Sequence, residues 1–118
     1  MHKIYTLSTC DTSRRILDKI DQQMFIVKDI KKQQLLPEEL DELKSIIGSY
    51  EALFSRRSRS YSKMGLKGKA LKEEEYRELI LQDYTFLKRP VVLIDGEVFA
   101  GNQKKNVEAL YSKLRVHV

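Results

Sequence analysis

Only one cysteine occurs in these 118 residues, at position 10. A single thiol cannot close an internal disulfide, so no disulfide framework holds the fold. In a reducing compartment such a residue is either an inert core side chain or a reactive thiol. No apolar run approaches the roughly 18 residues needed to cross a bilayer. The opening stretch, MHKIYTLSTC, lacks the longer apolar segment of a secretory signal. These absences predict a cytoplasmic protein with no membrane contact. There is no internal repeat, low-complexity linker, phosphate loop or dinucleotide fingerprint. The two histidines, His2 and His117, stand at opposite ends without metal-ligand spacing. No metal is expected, and both read as solvent-exposed end residues.

What is present suits one soluble domain with one apolar core. The net charge is +5, with 33% charged residues. A basic surface attracts nucleic acid or anionic partners, but most cations here are interspersed with acids. The balance reads as an ordinary solvated surface, and no direct nucleic-acid contact is expected. The exception is SRRSRSYSK, residues 55–63, which is either a contact surface, an anion site or a solvated basic loop.

The order of elements follows from periodicity. KIYTL (3–7) alternates and is rich in β-formers, so it predicts a strand. Residues 12–22 place Ile16, Leu17 and Ile20 on one face of a helix. MFIVKDI (24–30) predicts a second strand, with Phe25 and Val27 on one face. Pro37 then opens a helix with Glu38 and Glu39 in its first turn, an apolar stripe of Leu40, Leu43 and Ile47, and Gly48 as its stop. SYEALFS (49–55) predicts a short helix capped by Ser49, and the region from Gly65 to Gly68 a loop. Residues 72–84 predict a helix with Tyr76, Leu79 and Ile80 facing inward. RPVVLI (89–94) and EVFA (97–100) flank an Asp-Gly turn and form a hairpin. A final helix begins near Asn102 and carries Val107, Leu110, Tyr111 and Leu114 at helical spacing.

The order is β-α-β, a helical block, then β-β-α. The outer parts make a thioredoxin-like arrangement. The expected fold is therefore α/β: a mixed four-stranded sheet over residues 1–31 and 87–118, with a helical subdomain inserted at 32–86. The β-α-β crossover is expected to be right-handed.

In that frame Cys10 falls between the first strand and the first helix. The unpaired N–H groups and dipole of a helix N-terminus favour a thiolate, lowering a thiol that ordinarily titrates at about pH 8.5. Ser13, three residues on, is placed to donate a hydrogen bond to the sulfur. Arg14 and Arg15 add positive charge, and Asp11 opposes it. The competing reading is a small cysteine packed under the sheet. Pro90 begins a strand, since it cannot donate to a ladder. In thioredoxin-like folds that position holds a cis-proline facing the redox cysteine; the alternative is an ordinary trans proline at a strand edge.

These stretches resemble one family. CDTSRR at Cys10 is similar to the C-x-x-S/C-R stretch of the arsenate reductase (ArsC) and Spx family. ALFSRRSRSYSKMGL (52–66) and LKRPVVLIDGEVFAGNQKKNVEAL (87–110) resemble its basic segment and its Arg-Pro strand, hairpin and last helix. The resemblance implies thiol-redox chemistry. Cys10 matches the nucleophile, and Thr12, Ser13, Arg14, Arg57 and Arg89 match positions that support the thiolate or an oxyanion. Arg89 and Pro90 match the positions that meet the backbone of a thiol substrate. Arginine suits an oxyanion because its donors form a fork.

The resemblance further implies no bound cofactor, glutathione as co-substrate, and glutaredoxin or thioredoxin as partner. Its arsenate reductases surround the anion with three arginines. The second position falls among Ser55, Arg56 and Arg57, with Arg57 the better match, and the third falls near Gly101. A glutathione-dependent reductase acting on mixed disulfides therefore fits as well as one acting on arsenate. The Spx branch implies a different role, regulation of transcription through the carboxy-terminal domain of the RNA polymerase α subunit. Many of its members use a Cys-x-x-Cys switch, and Ser13 stands here in place of the second cysteine.

Overall fold

Val91, Val92, Leu93 and Ile94 are all buried, as expected for a central strand covered on both faces. They form β3 (Val91–Ile94) of a four-stranded sheet with β1 (Lys3–Thr6), β2 (Ile26–Asp29) and β4 (Glu97–Ala100). The spatial order is β2-β1-β3-β4. β1 runs parallel to β2, with Ile4 opposite Val27, and antiparallel to β3, with Ile4 opposite Val92. β4 returns antiparallel to β3 through Asp95 and Gly96, both at positive φ (49° and 73°), the geometry of the two-residue hairpin turn. The computed structural model describes residues 2–116. His117 lies outside the described residues.

Among the described residues, five α-helices join the sheet: α1 (Asp11–Leu17), α2 (Pro37–Ile47), α3 (Arg59–Lys63), α4 (Glu73–Gln82) and α5 (Lys104–Leu114). The chain divides into two units, one of residues 1–33 with 89–118 and one of residues 34–88. Both seams lie two residues beyond the positions read from the sequence.

In the sheet unit, Ile4, Val92 and Ile94 pack against Ile16, Leu17 and Ile20 and against Leu110 and Tyr111 of α5. The Tyr111 hydroxyl donates to the Ile16 carbonyl at 2.9 Å, so α5 holds α1 by a buried polar bond as well as by packing. In the helical unit Phe54 stacks on Phe86 (centroids 4.9 Å, 16°) and meets Tyr76 edge-on at 4.9 Å. Arg77 of α4 grips Asp41 of α2 with two hydrogen bonds of 2.9 and 3.1 Å, and the Tyr50 hydroxyl donates to the same carboxylate at 2.7 Å. The fork of the guanidinium matches the two carboxylate oxygens. These contacts hold Asp41 down to about 2, Arg77 first among them.

Four sequence expectations change. α1 stops at Leu17 instead of reaching residue 22. The Asp21 carboxylate accepts the Gln23 N–H at 3.0 Å, and Gln22 Nε2 donates to the Leu17 carbonyl at 3.1 Å. One side chain satisfies a backbone group beyond the helix and the other the carbonyl of its last residue, which favours a turn over another helical turn. β2 begins only at Ile26, so Phe25 lies outside the strand's alternation and is buried while Val27 is 42% exposed. SYEALFS forms a single tight 3-10 turn over Glu51–Leu53, although Ser49 Oγ does accept the Ala52 N–H at 3.1 Å. His2 is half-buried: its ring lies 5.6 Å from that of Phe25, and Nε2 is 3.1 Å from Asp95 Oδ1.

Candidate active site

Cys10 occupies the N-cap of α1 in an extended conformation (φ −94°, ψ 106°). Its N–H donates to the Leu7 carbonyl at 2.9 Å, which turns the chain off β1. Its carbonyl accepts the Arg14 N–H at 3.0 Å, the first bond of the helix. A residue fixed by both bonds presents its side chain at the helix start, where the backbone N–H groups lack helical partners. The thiol is half-buried there.

Ser13 is fully buried one turn along, and its Oγ donates to Cys10 Sγ at 3.3 Å. The Ser13 N–H also faces the sulfur, short of a full side-chain cap. Arg89, just before β3, brings its guanidinium to the same sulfur. Burial pushes the thiol up. The Ser13 hydroxyl, the Ser13 N–H and the Arg89 charge pull it down further, so Cys10 lies below its ordinary value. All three act by stabilising the anion over the neutral thiol.

Arg14 serves differently. It is 61% exposed and pairs with Asp11 at 3.1 Å, in solvent. The pair offsets the negative charge of Asp11, which by itself would oppose the thiolate of the residue before it. Thr12 is half-buried and lines an open groove of about 750 Å³ between α1 and α5, floored by Ile16, Val107 and Tyr111. Asn102 and Lys104 line it as well. The sequence marks neither as a site residue, since only packing of α5 on α1 brings them near Thr12.

The Arg89–Pro90 peptide bond is cis. Pro90 is buried, and its carbonyl accepts the Gly101 N–H at 2.8 Å, extending the β3–β4 ladder by one pair. Gly101 is itself buried, at φ 100°. Arg57 belongs to the helical unit, exposed two residues before α3. Thus Cys10, Ser13 and Arg89 meet at one sulfur, while Arg14 turns to Asp11. Among the described residues, no three His, Cys, Asp or Glu side chains gather as a metal site, and no helix is long and apolar enough to cross a membrane.

Residues 5–110 match the model of the ArsC family. The chain belongs to the ArsC family. An arsenate reductase of Neisseria meningitidis serogroup A is 26% identical over 113 residues, which span 92% of this chain and 96% of that one. An arsenate reductase from Vibrio cholerae superposes with a TM-score of 0.75 at 20% identity, covering 92% of this chain and 95% of the other. An arsenate reductase (ArsC) related protein from Brucella melitensis superposes with a TM-score of 0.68 at 25% identity, covering 93% of each. This ArsC-family chain therefore has the thioredoxin-like α/β fold with an inserted helical unit, and its function is thiol-redox. Thiol reductants are the class of partner that such a function requires.

Proposed function

We propose that the protein is a reductase that uses Cys10 as its nucleophile and glutathione as co-substrate, with glutaredoxin or thioredoxin as an alternative source of thiol. The observation that carries this reading is the Ser13 hydroxyl 3.3 Å from Cys10 Sγ at the start of α1. A thiolate supported there is the reactive form. We assign the thiolate support to Ser13 and Arg89, with Thr12 and Arg14 at the outer edge of that site and Arg57, by resemblance to the family, as a further anion-binding position. A reducing cytoplasm suits a lone thiol of this type.

With a mixed disulfide as substrate, the Cys10 thiolate attacks the glutathione sulfur. A Cys10–glutathione bond forms, and the substrate's thiolate leaves and takes up a proton. A second glutathione thiolate then attacks that mixed disulfide, giving glutathione disulfide and regenerating the Cys10 thiolate. With arsenate, Cys10 sulfur displaces one oxygen as water. Two glutathiones then supply the two electrons that release arsenite and end as glutathione disulfide. Because Cys10 is the only cysteine, an external thiol completes either cycle. Gly101 stands near the position of the third arginine, so the mixed disulfide is the better fit to this set of side chains. Ser13 also removes the internal disulfide on which a Cys-x-x-Cys transcriptional switch depends.

Turnover tests the reading. Purified protein is assayed with glutathione and glutaredoxin against a glutathionylated peptide and against arsenate, beside Cys10→Ser. The expected result is turnover of the peptide by the natural chain and none above background by Cys10→Ser. Equal rates for the two proteins on both substrates would discard the assignment.

A further inference from the structure

The net positive charge of this chain is confined to one place. Between Ser55 and Lys72 stand seven Lys and Arg and no Asp or Glu. Of the 22 Lys and Arg in the chain, 15 remain elsewhere against all 17 acids, so the rest of the molecule is net −2 while this segment is +7. Mixing of charges along the whole chain conceals that division.

The segment is built to present its cations. Ser58 caps α3 by accepting the Ser60 N–H, and its Oγ lies 2.7 Å from Thr85 Oγ1. Ser60 donates to the Asp83 carboxylate, which also accepts the Thr85 N–H and hydroxyl. That carboxylate is thus engaged by hydroxyl and amide donors, while Glu51 pairs with Arg56 at 2.8 Å. After α3 the chain reverses at Gly65 and Gly68, both at positive φ (66° and 82°), with Leu66 buried between them. A buried anchor between two left-handed turns fixes the flanking side chains outward. Arg59, Lys63, Lys67, Lys69 and Lys72 are all exposed. Among the described residues none of these five carries an ion pair.

We propose that this surface binds the phosphate backbone of a nucleic acid. The choice rests on its composition. Protein interfaces concentrate aromatic and apolar anchors at their centre and are poor in lysine. Here the exposed side chains are cations, the Ser62 hydroxyl and the small Ala70, and Met64 is the one large apolar group among them, 48% exposed. Cations with hydroxyls are what phosphate oxygens take, without reading sequence. This inference is independent of the redox reading, since none of the five residues belongs to the Cys10 site.

The test is fluorescence anisotropy with the full chain and two labelled probes, a short DNA duplex and a single strand of RNA. Five phosphate contacts predict an affinity on the duplex that falls about 500-fold between ~50 and ~200 mM salt. The quadruple variant Arg59→Gln, Lys63→Gln, Lys67→Gln, Lys69→Gln should weaken binding and leave only about a fourfold fall over that range. A charge-matched control, Lys19→Gln, Lys31→Gln, Lys32→Gln, Lys105→Gln, should retain the steep dependence. All eight residues are exposed, and circular dichroism of each variant checks that it folds. No binding to either probe at ~50 mM salt would overturn the proposal, as would equal losses in the two variants. Equal or tighter binding to polyglutamate or to anionic vesicles would overturn it too, and would reassign the surface to an acidic protein or a membrane.

Discussion

Replacing Ser13 by alanine isolates the support of the sulfur from its surroundings. Ser13 is fully buried and gives up only one oxygen, so packing around α1 is nearly unchanged. The lost bond is the 3.3 Å donation from Oγ to Cys10 Sγ. Hydrogen bonds to charged groups contribute about 1.5–3 kcal/mol, whereas a long bond to a weakly accepting sulfur contributes about 1 kcal/mol. That figure corresponds to about a fivefold fall in the ratio of thiolate to thiol. The sign follows from the cause. The bond favours the anion, so its loss moves Cys10 up, toward its ordinary value, as burial meets less opposition. The measurement is the rate of alkylation by iodoacetamide across pH. Below both midpoints Ser13→Ala should react about fivefold more slowly than the natural chain, and the two rates should converge once both thiols are ionised. Superimposable profiles would refute the role given to the hydroxyl. A natural-chain midpoint no lower than that of free cysteine would refute the activated thiolate itself.

Two further outcomes follow from the frame around the site. Asp41→Asn removes a carboxylate held at about 2 by Arg77 and Tyr50. A carboxylate lowered in the fold contributes stability above its ordinary pKa and loses it as pH falls toward the folded value. Urea midpoints of the natural chain should therefore fall between pH 4 and pH 2, from the ordinary 3.8 to the held value, and Asp41→Asn should flatten that part of the curve. Tyr111→Phe removes the buried donation to the Ile16 carbonyl; a loss of about 1 kcal/mol in urea unfolding at neutral pH is expected. An unchanged midpoint would show that packing alone holds α5 on α1.

Local rules made some elements legible. Pro37 and Gly48 bracket α2, with Gly48 at φ 108°. The Asp-Gly pair marks the hairpin because both residues accept positive φ. The cysteine at the strand–helix junction and the serine three residues later needed only helical spacing to be brought together. Other features depended on distant partners. The short α3 depends on its cap Ser58 meeting Thr85 and on Ser60 meeting Asp83, more than 20 positions away. The exposure of Val27 follows from β2 lying at the edge of the sheet, which a strand's own sequence does not specify. Arg14 was read as support for the sulfur; its i−3 neighbour Asp11 was visible, but sequence alone does not choose between a solvent pair and an inward charge.

The core of the sheet unit joins Ile4 and Ile16 near one end of the chain to Val92, Leu110 and Tyr111 near the other. During synthesis from the N-terminus, Cys10 therefore emerges long before the helix that covers its neighbours. The helical unit, being one continuous stretch, has all its residues outside the ribosome sooner. Until the last helix docks, Ile16 and Leu17 lack the part of their cover that Leu110 and Tyr111 supply, and Cys10 waits on a helix whose apolar face is still partly open to chaperones.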